Sequence, residues 1–332
     1  MAVDTALTAP AARYPWHDAL WANLAHPFDR LPHALLLHGL PGLGKNAFAL
    51  QLAQVLLCQT PQVNNACGKC HSCQLFAAAT HPDLLIITPL EDAKNISVDQ
   101  IRALNGFVFL RPHTAPRKIV VIQPAETMNI NAANSLLKLL EEPPLDSILL
   151  LVTSRPARLP ATIRSRCGRL QVKPPNQQMA LAWLQANAAG TDAVQDLLQF
   201  AGGAPLLAKT LAEQGFAEQR QQLRQDLENL SAGREDPVIC ALRWKNLGTN
   251  LCLSWLYRAV LDLIKSQAGV ASGSSLDSDT LKKIYKNTLN ISVLYKYIYV
   301  IHDYYRQLNS PLDELLMLED ILIRWNRISR LQ

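Results

Sequence analysis

The sequence predicts an α/β domain built on a parallel sheet, followed by an all-α region. Three observations carry this. Apolar runs of strand length alternate with helical periodicity through the first half of the chain. A glycine-rich loop, Gly39 to Asn46, joins the first such run to the first helical pattern. After Lys173-Pro174-Pro175 the strand patterns stop and almost every periodic segment is helical.

Ala34–Leu37 reads as a buried strand and Ala47–Leu57 as a helix. Leu84–Thr88 is the second strand. Ser97-Val98-Asp99-Gln100 is a capping-box pattern and predicts a helix through Gly106. Ile119–Ile122 is a third strand. Asn131–Leu140 is a helix stopped by Pro143-Pro144. Ser147–Thr153 is a fourth strand, and Leu170–Val172 is a candidate fifth. Strands alternating with helices predict a parallel sheet covered on both faces. Asn176–Ala188 and Asp192–Phe200 read as short helices. Gly202-Gly203-Ala204-Pro205 interrupts the pattern and Leu206–Gln214 resumes it. From Glu218 onward the chain has helical periodicity, apart from the polar Ser272–Ser278, which reads as a mobile loop. Boundaries therefore fall near residues 173 and 215, giving segments 1–173, 174–215 and 216–332.

Composition narrows the function classes. The chain has 332 residues, 49% of them hydrophobic and 18% charged, as in ordinary soluble domains with real cores. A net charge of +5 permits nucleic-acid contact but is too modest to argue for a dedicated DNA-binding domain. No apolar run reaches the length of a membrane span, and Met1–Ala12, with Asp4 and Pro10, does not read as a signal peptide. Seven cysteines, four of them bunched within 16 residues, suit a reducing cytosol and a metal better than disulfides.

The loop Gly39-Leu40-Pro41-Gly42-Leu43-Gly44-Lys45-Asn46 has a phosphate-binding pattern. Glycines Gly39, Gly42 and Gly44 let backbone N–H groups converge on phosphate oxygens, and the following helix adds its positive end. Lys45 would reach the β- and γ-phosphates. Asn46 stands where a Mg2+-binding hydroxyl is expected. The next internal strand ends in Gln123-Pro124, where a working ATPase of this kind needs acids. Binding of ATP and Mg2+ stays open on this reading: the loop either still holds nucleotide or keeps only the ancestry of one that did.

Cys58-x8-Cys67-x2-Cys70-x2-Cys73 has the spacing of a closed four-thiolate Zn2+ site, with Gly68 for the tight turn. The intervening segment is too polar to bury these thiols as ordinary core. His71 is a weaker competing ligand, and His81, before Pro82, reads as a loop histidine. Thr162-Ile163-Arg164-Ser165-Arg166-Cys167 follows the fourth strand. Spacing alone favours a solvated basic turn over a phosphate contact at a subunit interface. Glu141-Glu142, adjacent at a helix end, reads as a solvated or capping element. There is no Ser/His/Asp nucleophile set.

Taken together, Gly39–Lys45, the cysteine quartet, the string Asn134-Ser135-Leu136-Leu137-Lys138-Leu139-Leu140-Glu141-Glu142-Pro143-Pro144, and Ser165-Arg166-Cys167 resemble, in the same order, bacterial clamp-loader AAA+ subunits. The resemblance covers about the first 215 residues by motif and the rest by helical character and length. It implies a RecA-like AAA+ parallel sheet with a zinc insert at 58–73, a helical lid domain and a C-terminal helical collar that oligomerises. Within the family the chain is similar to a subunit that does not hydrolyse ATP, more than to the hydrolysing gamma/tau subunit. Gln123-Pro124 replaces the Walker B acids, though Glu126 lies near. Asn46 replaces the hydroxyl, and Leu206 replaces the sensor arginine after Gly203-Ala204-Pro205.

The resemblance also implies that Arg166 acts in trans as an arginine finger and that Thr153 occupies the sensor-1 position. The implied partners are gamma/tau and delta subunits and, through them, the sliding clamp and primer-template DNA, in the bacterial cytoplasm at the nucleoid. The implied setting is the DNA-directed DNA polymerase holoenzyme, a nucleotidyltransferase to which this chain brings no ATPase of its own. Two other readings stay open: a motor ATPase with Glu126 standing in for the lost acids, and a zinc-dependent DNA-binding protein with an inert nucleotide fold.

Overall fold

The structure, a computed structural model, describes residues 13–24, 28, 31–91, 93–144, 146–187, 194–269, 290–308 and 312–330. Met1–Ala12, the expected loop Ser272–Ser278, and the helix ends expected at Ala188 and Asp192 lie outside the described residues. The chain divides into two compact units, Met1–Ala189 with Ala201–Lys209, and Gly190–Phe200 with Thr210–Gln332.

The first unit holds a five-stranded sheet of β1 (Ala34–His38), β2 (Leu84–Ile87), β3 (Lys118–Ile122), β4 (Ser147–Thr153) and β5 (Gly168–Gln171), in the order β2-β3-β4-β1-β5. Every pairing is parallel, with Leu36 opposite Leu151 and Val120 opposite Leu149. The continuous apolar runs of β3 and β4 are buried along their whole length, as internal strands covered on both faces must be. β5 begins earlier than expected and alternates exposed Arg169 and Gln171 with half-buried neighbours, which is how a sheet edge faces water.

Helices cover both faces. On one, α4 (Val98–Val108) and α5 (Ile130–Glu141) set Ile101, Leu104, Leu136 and Leu139 against Val120, Ile122, Leu149 and Leu151. Alternate strand residues point to the other face, where α2 (Lys45–Leu57) packs with Phe48 and Leu52 fully buried. The expected capping box starts α4: Gln100 N donates to Ser97 Oγ at 3.3 Å and Ser97 N to Gln100 Oε1 at 3.0 Å. Asn129 caps α5 by accepting from Ala132 N at 2.8 Å.

Asp83 and Lys118 form a buried ion pair at 3.3 Å between β2 and β3. Burial alone would raise the Asp83 pKa. The N–H groups of Ala115, His113 and Thr114, with the Lys118 ammonium, bring it below the usual carboxylate value instead. This carboxylate ties the loop before β3 to the sheet.

The shorter elements of this unit are α1 (Asp18–Asn23), α3 (His71–Ala77), α6 (Ala161–Arg166), α7 (Gln177–Asn187) and the start of α9 (Pro205–Glu213). The sequence predicts no helix at α3 or α6. Each is about two turns or less, too short for periodicity to register.

The second unit contains α8 (Val194–Phe200), α10 (Phe216–Ser231), α11 (Pro237–Leu247), α12 (Thr249–Gln267), α13 (Ile291–Gln307) and α14 (Glu314–Arg330). Trp244 and Trp255 meet edge to face at 6.0 Å in its core. Asp226, almost wholly buried, accepts from Trp244 Nε1, Arg243 Nη2 and Gln222 Nε2 at 3.1, 3.0 and 2.9 Å. An apolar stripe of Leu315, Leu316, Leu318, Ile321, Leu322 and Trp325 is expected on the last helix, chiefly to close the unit's own core. Leu318, Ile321, Leu322 and Trp325 do so, but Leu316 is 63% exposed, turned off that face.

Candidate functional site

The phosphate loop forms where expected, between β1 and α2, but its space is filled. Gly42 and Gly44 adopt left-handed backbone at φ +75° and +74°. A Cβ on Gly42 would lie 2.4 Å from the backbone N and Cβ of Leu207, and one on Gly44 would lie 2.6 Å from the Tyr14 ring. The start of α9 is fastened to the loop: Leu206 N donates to the Gly42 carbonyl at 3.1 Å. The residue standing where a sensor arginine would stand thus uses its backbone to hold the loop. Gly39 packs against the Val172 carbonyl.

Lys45 is only 6% exposed, and its Nζ donates to the Leu40 carbonyl of the same loop at 2.7 Å. Burial lowers its pKa to about 8, opposed by the negative charge of Glu126. Asn46 is exposed. From the other side, Trp16 Nε1 and His17 Nε2 both reach the Leu43 carbonyl at 2.9 Å. Tyr14 stacks on Trp16 with ring centroids 4.9 Å apart, and Trp183 of α7 meets both edge-on.

This aromatic cluster is a part of the site that sequence reasoning misses. The clustering of Tyr14, Trp16 and His17 is visible in the chain. That they close over a loop some thirty residues further on is not. A phosphate entering here would have to displace Lys45 from Leu40 and the start of α9 from Gly42.

The strand ends are equally committed. Gln123, at the end of β3, is buried, and its peptide bond to Pro124 is cis. Glu126 accepts from Ser154 N at 3.1 Å. Thr153, at the sensor-1 position, is buried, and its Oγ1 accepts from Arg155 N at 3.0 Å. Lys45, Glu126 and Thr153, which could each serve a nucleotide, are thus engaged by their own chain.

Arg166 is the last residue of α6, flanked by buried Ile163 and Cys167, and is exposed. It lies at a helix end, not in the solvated turn that spacing alone favours. Its Nη2 contacts Glu141 Oε1 at 2.7 Å and its Nη1 donates to the Thr162 carbonyl at 3.2 Å. Glu141, expected to be solvated or capping, is therefore an ion-pair partner. Arg166 does not share the space around Lys45: its charge is offered outward.

The four cysteines converge. Their sulfurs lie within 4.8 Å of one another, with Cys58–Cys70 and Cys67–Cys73 both at 3.9 Å. A tetrahedral Zn2+ with Zn–S bonds of about 2.3 Å needs S–S edges of roughly 3.8 Å, so the set fits. Cys67 N and Cys70 N donate to the sulfurs of Cys58 and Cys67, both at 3.3 Å, which favours thiolates. Hydrogen bonds from the Thr60 side chain, then from the Lys69 and Cys70 backbones, bring the Cys67 thiol down to about 5, while burial raises Cys58 and Cys73.

His71 is exposed and outside this cluster. His81 differs from the loop histidine expected: it is buried, with Nδ1 accepting from Asp83 N at 3.0 Å and Nε2 2.7 Å from Ser72 Oγ. Ser72 in turn donates to the Leu57 carbonyl at 2.6 Å, so the pair braces the cysteine knuckle on α2 and is not a nucleophile.

Comparison with known proteins gives this geometry a family. The family model described as DNA polymerase III, delta subunit, matches residues 18–176. A second model, for the C-terminal part of the DNA polymerase III delta subunit, matches residues 214–327. The DNA polymerase III subunit delta' of Pseudomonas aeruginosa is 37% identical over 319 residues, covering 94% of this chain and 97% of its own length. That of Escherichia coli is 32% identical over 317 residues, covering 94% of each. The solved structure of a DNA polymerase III gamma subunit-related protein from Thermotoga maritima aligns over 91% of this chain and 97% of its own at 21% identity, with a TM-score of 0.42.

Proposed function

From the premise that this chain belongs to the DNA polymerase III delta' family, we propose that it is the non-hydrolysing, stator-like member of a clamp loader. One contrast carries the reading. The phosphate loop is closed on itself, with Lys45 on the Leu40 carbonyl and Leu207 against Gly42, while Arg166 is presented outward from α6.

In this reading Arg166 enters the ATP site of a neighbouring gamma/tau subunit. A guanidinium there stabilises charge that builds on the transferring phosphoryl group. Residues 1–173 form the AAA+ module, 174–215 the lid and 216–332 the collar, and the chain assembles with gamma/tau and delta subunits. Through them it helps load the sliding clamp on primer-template DNA in the bacterial cytoplasm. Cys58, Cys67, Cys70 and Cys73 hold a structural Zn2+, which cross-links a segment with little apolar core of its own.

The motor alternative loses ground because Glu126 is engaged by the Ser154 N–H and Thr153 by the Arg155 N–H. The test is ATP turnover by the reconstituted complex carrying Arg166→Ala. Turnover at the adjacent site is lost while the complex elutes at its normal size. Full turnover with this variant sinks the finger role. ATP hydrolysis by the isolated chain, abolished by Lys45→Ala, sinks the stator reading altogether.

A further inference from the structure

The Arg166–Glu141 contact joins two helix ends that are each fixed by burial. Glu141 is the last residue of α5, directly after buried Leu139 and Leu140, and Pro143-Pro144 stop the helix beyond it. Arg166 ends α6 between buried Ile163 and Cys167. Neither backbone is free to wander, so the pair is set by the fold and not by two mobile surface chains meeting.

The contact also decides which nitrogens are engaged. Nη2 is on Glu141 at 2.7 Å and Nη1 on Thr162 at 3.2 Å. These are the terminal nitrogens with which a guanidinium grips a phosphoryl group end-on. Both are turned back toward their own chain.

We propose that Glu141 is a positioning residue for Arg166: its carboxylate parks the guanidinium at the end of α5, and phosphoryl oxygens of a neighbouring subunit's nucleotide displace that carboxylate when the arginine engages. This rests on the reading of Arg166 as a finger. The exchange swaps a singly charged acceptor for a more highly charged one, so parking is strong enough to orient the side chain and weak enough to yield. Both groups are partly exposed, which keeps the ion pair within the modest range of solvated pairs. Parking sets the arginine's reach before assembly and limits its hold on other anions.

The test is Glu141→Gln, which keeps the shape of the side chain and removes its charge. In the reconstituted clamp loader, kcat for ATP rises about two- to fivefold, the size expected from releasing an exposed ion pair, with KM unchanged. With Arg166→Ala already present, Glu141→Gln has no further effect. An unchanged or lowered kcat for Glu141→Gln, with Arg166→Ala still inactive, overturns parking and leaves the finger standing. If Arg166→Ala is itself without effect, the finger reading fails. Parking is then decided on the isolated chain, by 15N NMR of the Arg166 Nε–H group. Slowed guanidinium rotation that Glu141→Gln releases supports it; rotation equally free in both proteins overturns it.

Discussion

The ammonium of Lys45 and the carbonyl of Leu40, five positions apart in one loop, are joined by a 2.7 Å hydrogen bond. The residue meant to reach a nucleotide phosphate is thereby used to close the loop that would cradle it. The Leu206 N–H on the Gly42 carbonyl and the two ring nitrogens on the Leu43 carbonyl hold the same loop from two other sides. A phosphate loop can outlive its ligand when its backbone finds other partners, because buried peptide groups need only be satisfied, not satisfied by phosphate.

Nucleotide binding by the isolated chain is the first consequence. Isothermal titration with Mg2+-ATP should give no saturable binding tighter than about 1 mM, since opening the loop costs the contacts just named. Lys45→Met should leave the ATPase of the assembled complex within about twofold of normal. Micromolar binding lost in Lys45→Met would show that the closed loop opens readily.

Gly44 tests the packing of the aromatic cluster. Its φ of +74° disfavours a side chain, and a Cβ there meets the Tyr14 ring at 2.6 Å. Gly44→Ala should destabilise the chain by about 1–3 kcal/mol, from backbone strain and overpacking together. Urea unfolding followed by tryptophan fluorescence reads this directly. A midpoint equal to that of the parent would mean the cluster is loosely seated.

Zinc is tested by elemental analysis. One equivalent per chain is expected in protein purified without added metal, falling below about 0.2 in Cys70→Ser. Chelation should lower the melting temperature of the parent and leave Cys70→Ser unmoved. Parent protein without stoichiometric metal, even after zinc is supplied, removes the site from the account.

The pH dependence follows from two buried imidazoles. Burial lowers His17 and His81 below the ordinary 6.5, against the backbone hydrogen bond to Leu43 and the charge of Asp83 respectively. The unfolded chain binds these protons more readily than the folded one, so stability rises with pH. The contribution is whole above about 6.5 and is lost as pH falls through the lowered folded values. The urea midpoint at pH 5.5 should lie below that at pH 7.5. His17→Gln, which keeps an N–H near the Leu43 carbonyl, should flatten the slope. A parent midpoint that does not fall on acidification counts against neutral buried histidines.

What the sequence by itself determined is what repeats locally. The apolar runs of β1 to β4, the capping box at Ser97, the proline stop after α5 and the cysteine spacing each act within a few residues, and all appear close to their expected places. The departure of the phosphate loop from a working one was also legible, because Asn46, Gln123 and Leu206 are read one residue at a time. The tertiary structure alone decided what fills the space those departures leave. Tyr14, Trp16, His17 and Trp183 converge on one loop from distant parts of the chain, His81 turns inward to Ser72, and Glu141 meets Arg166 across two helix ends. Such pairings depend on how helices pack on the sheet, and no local period or propensity encodes them.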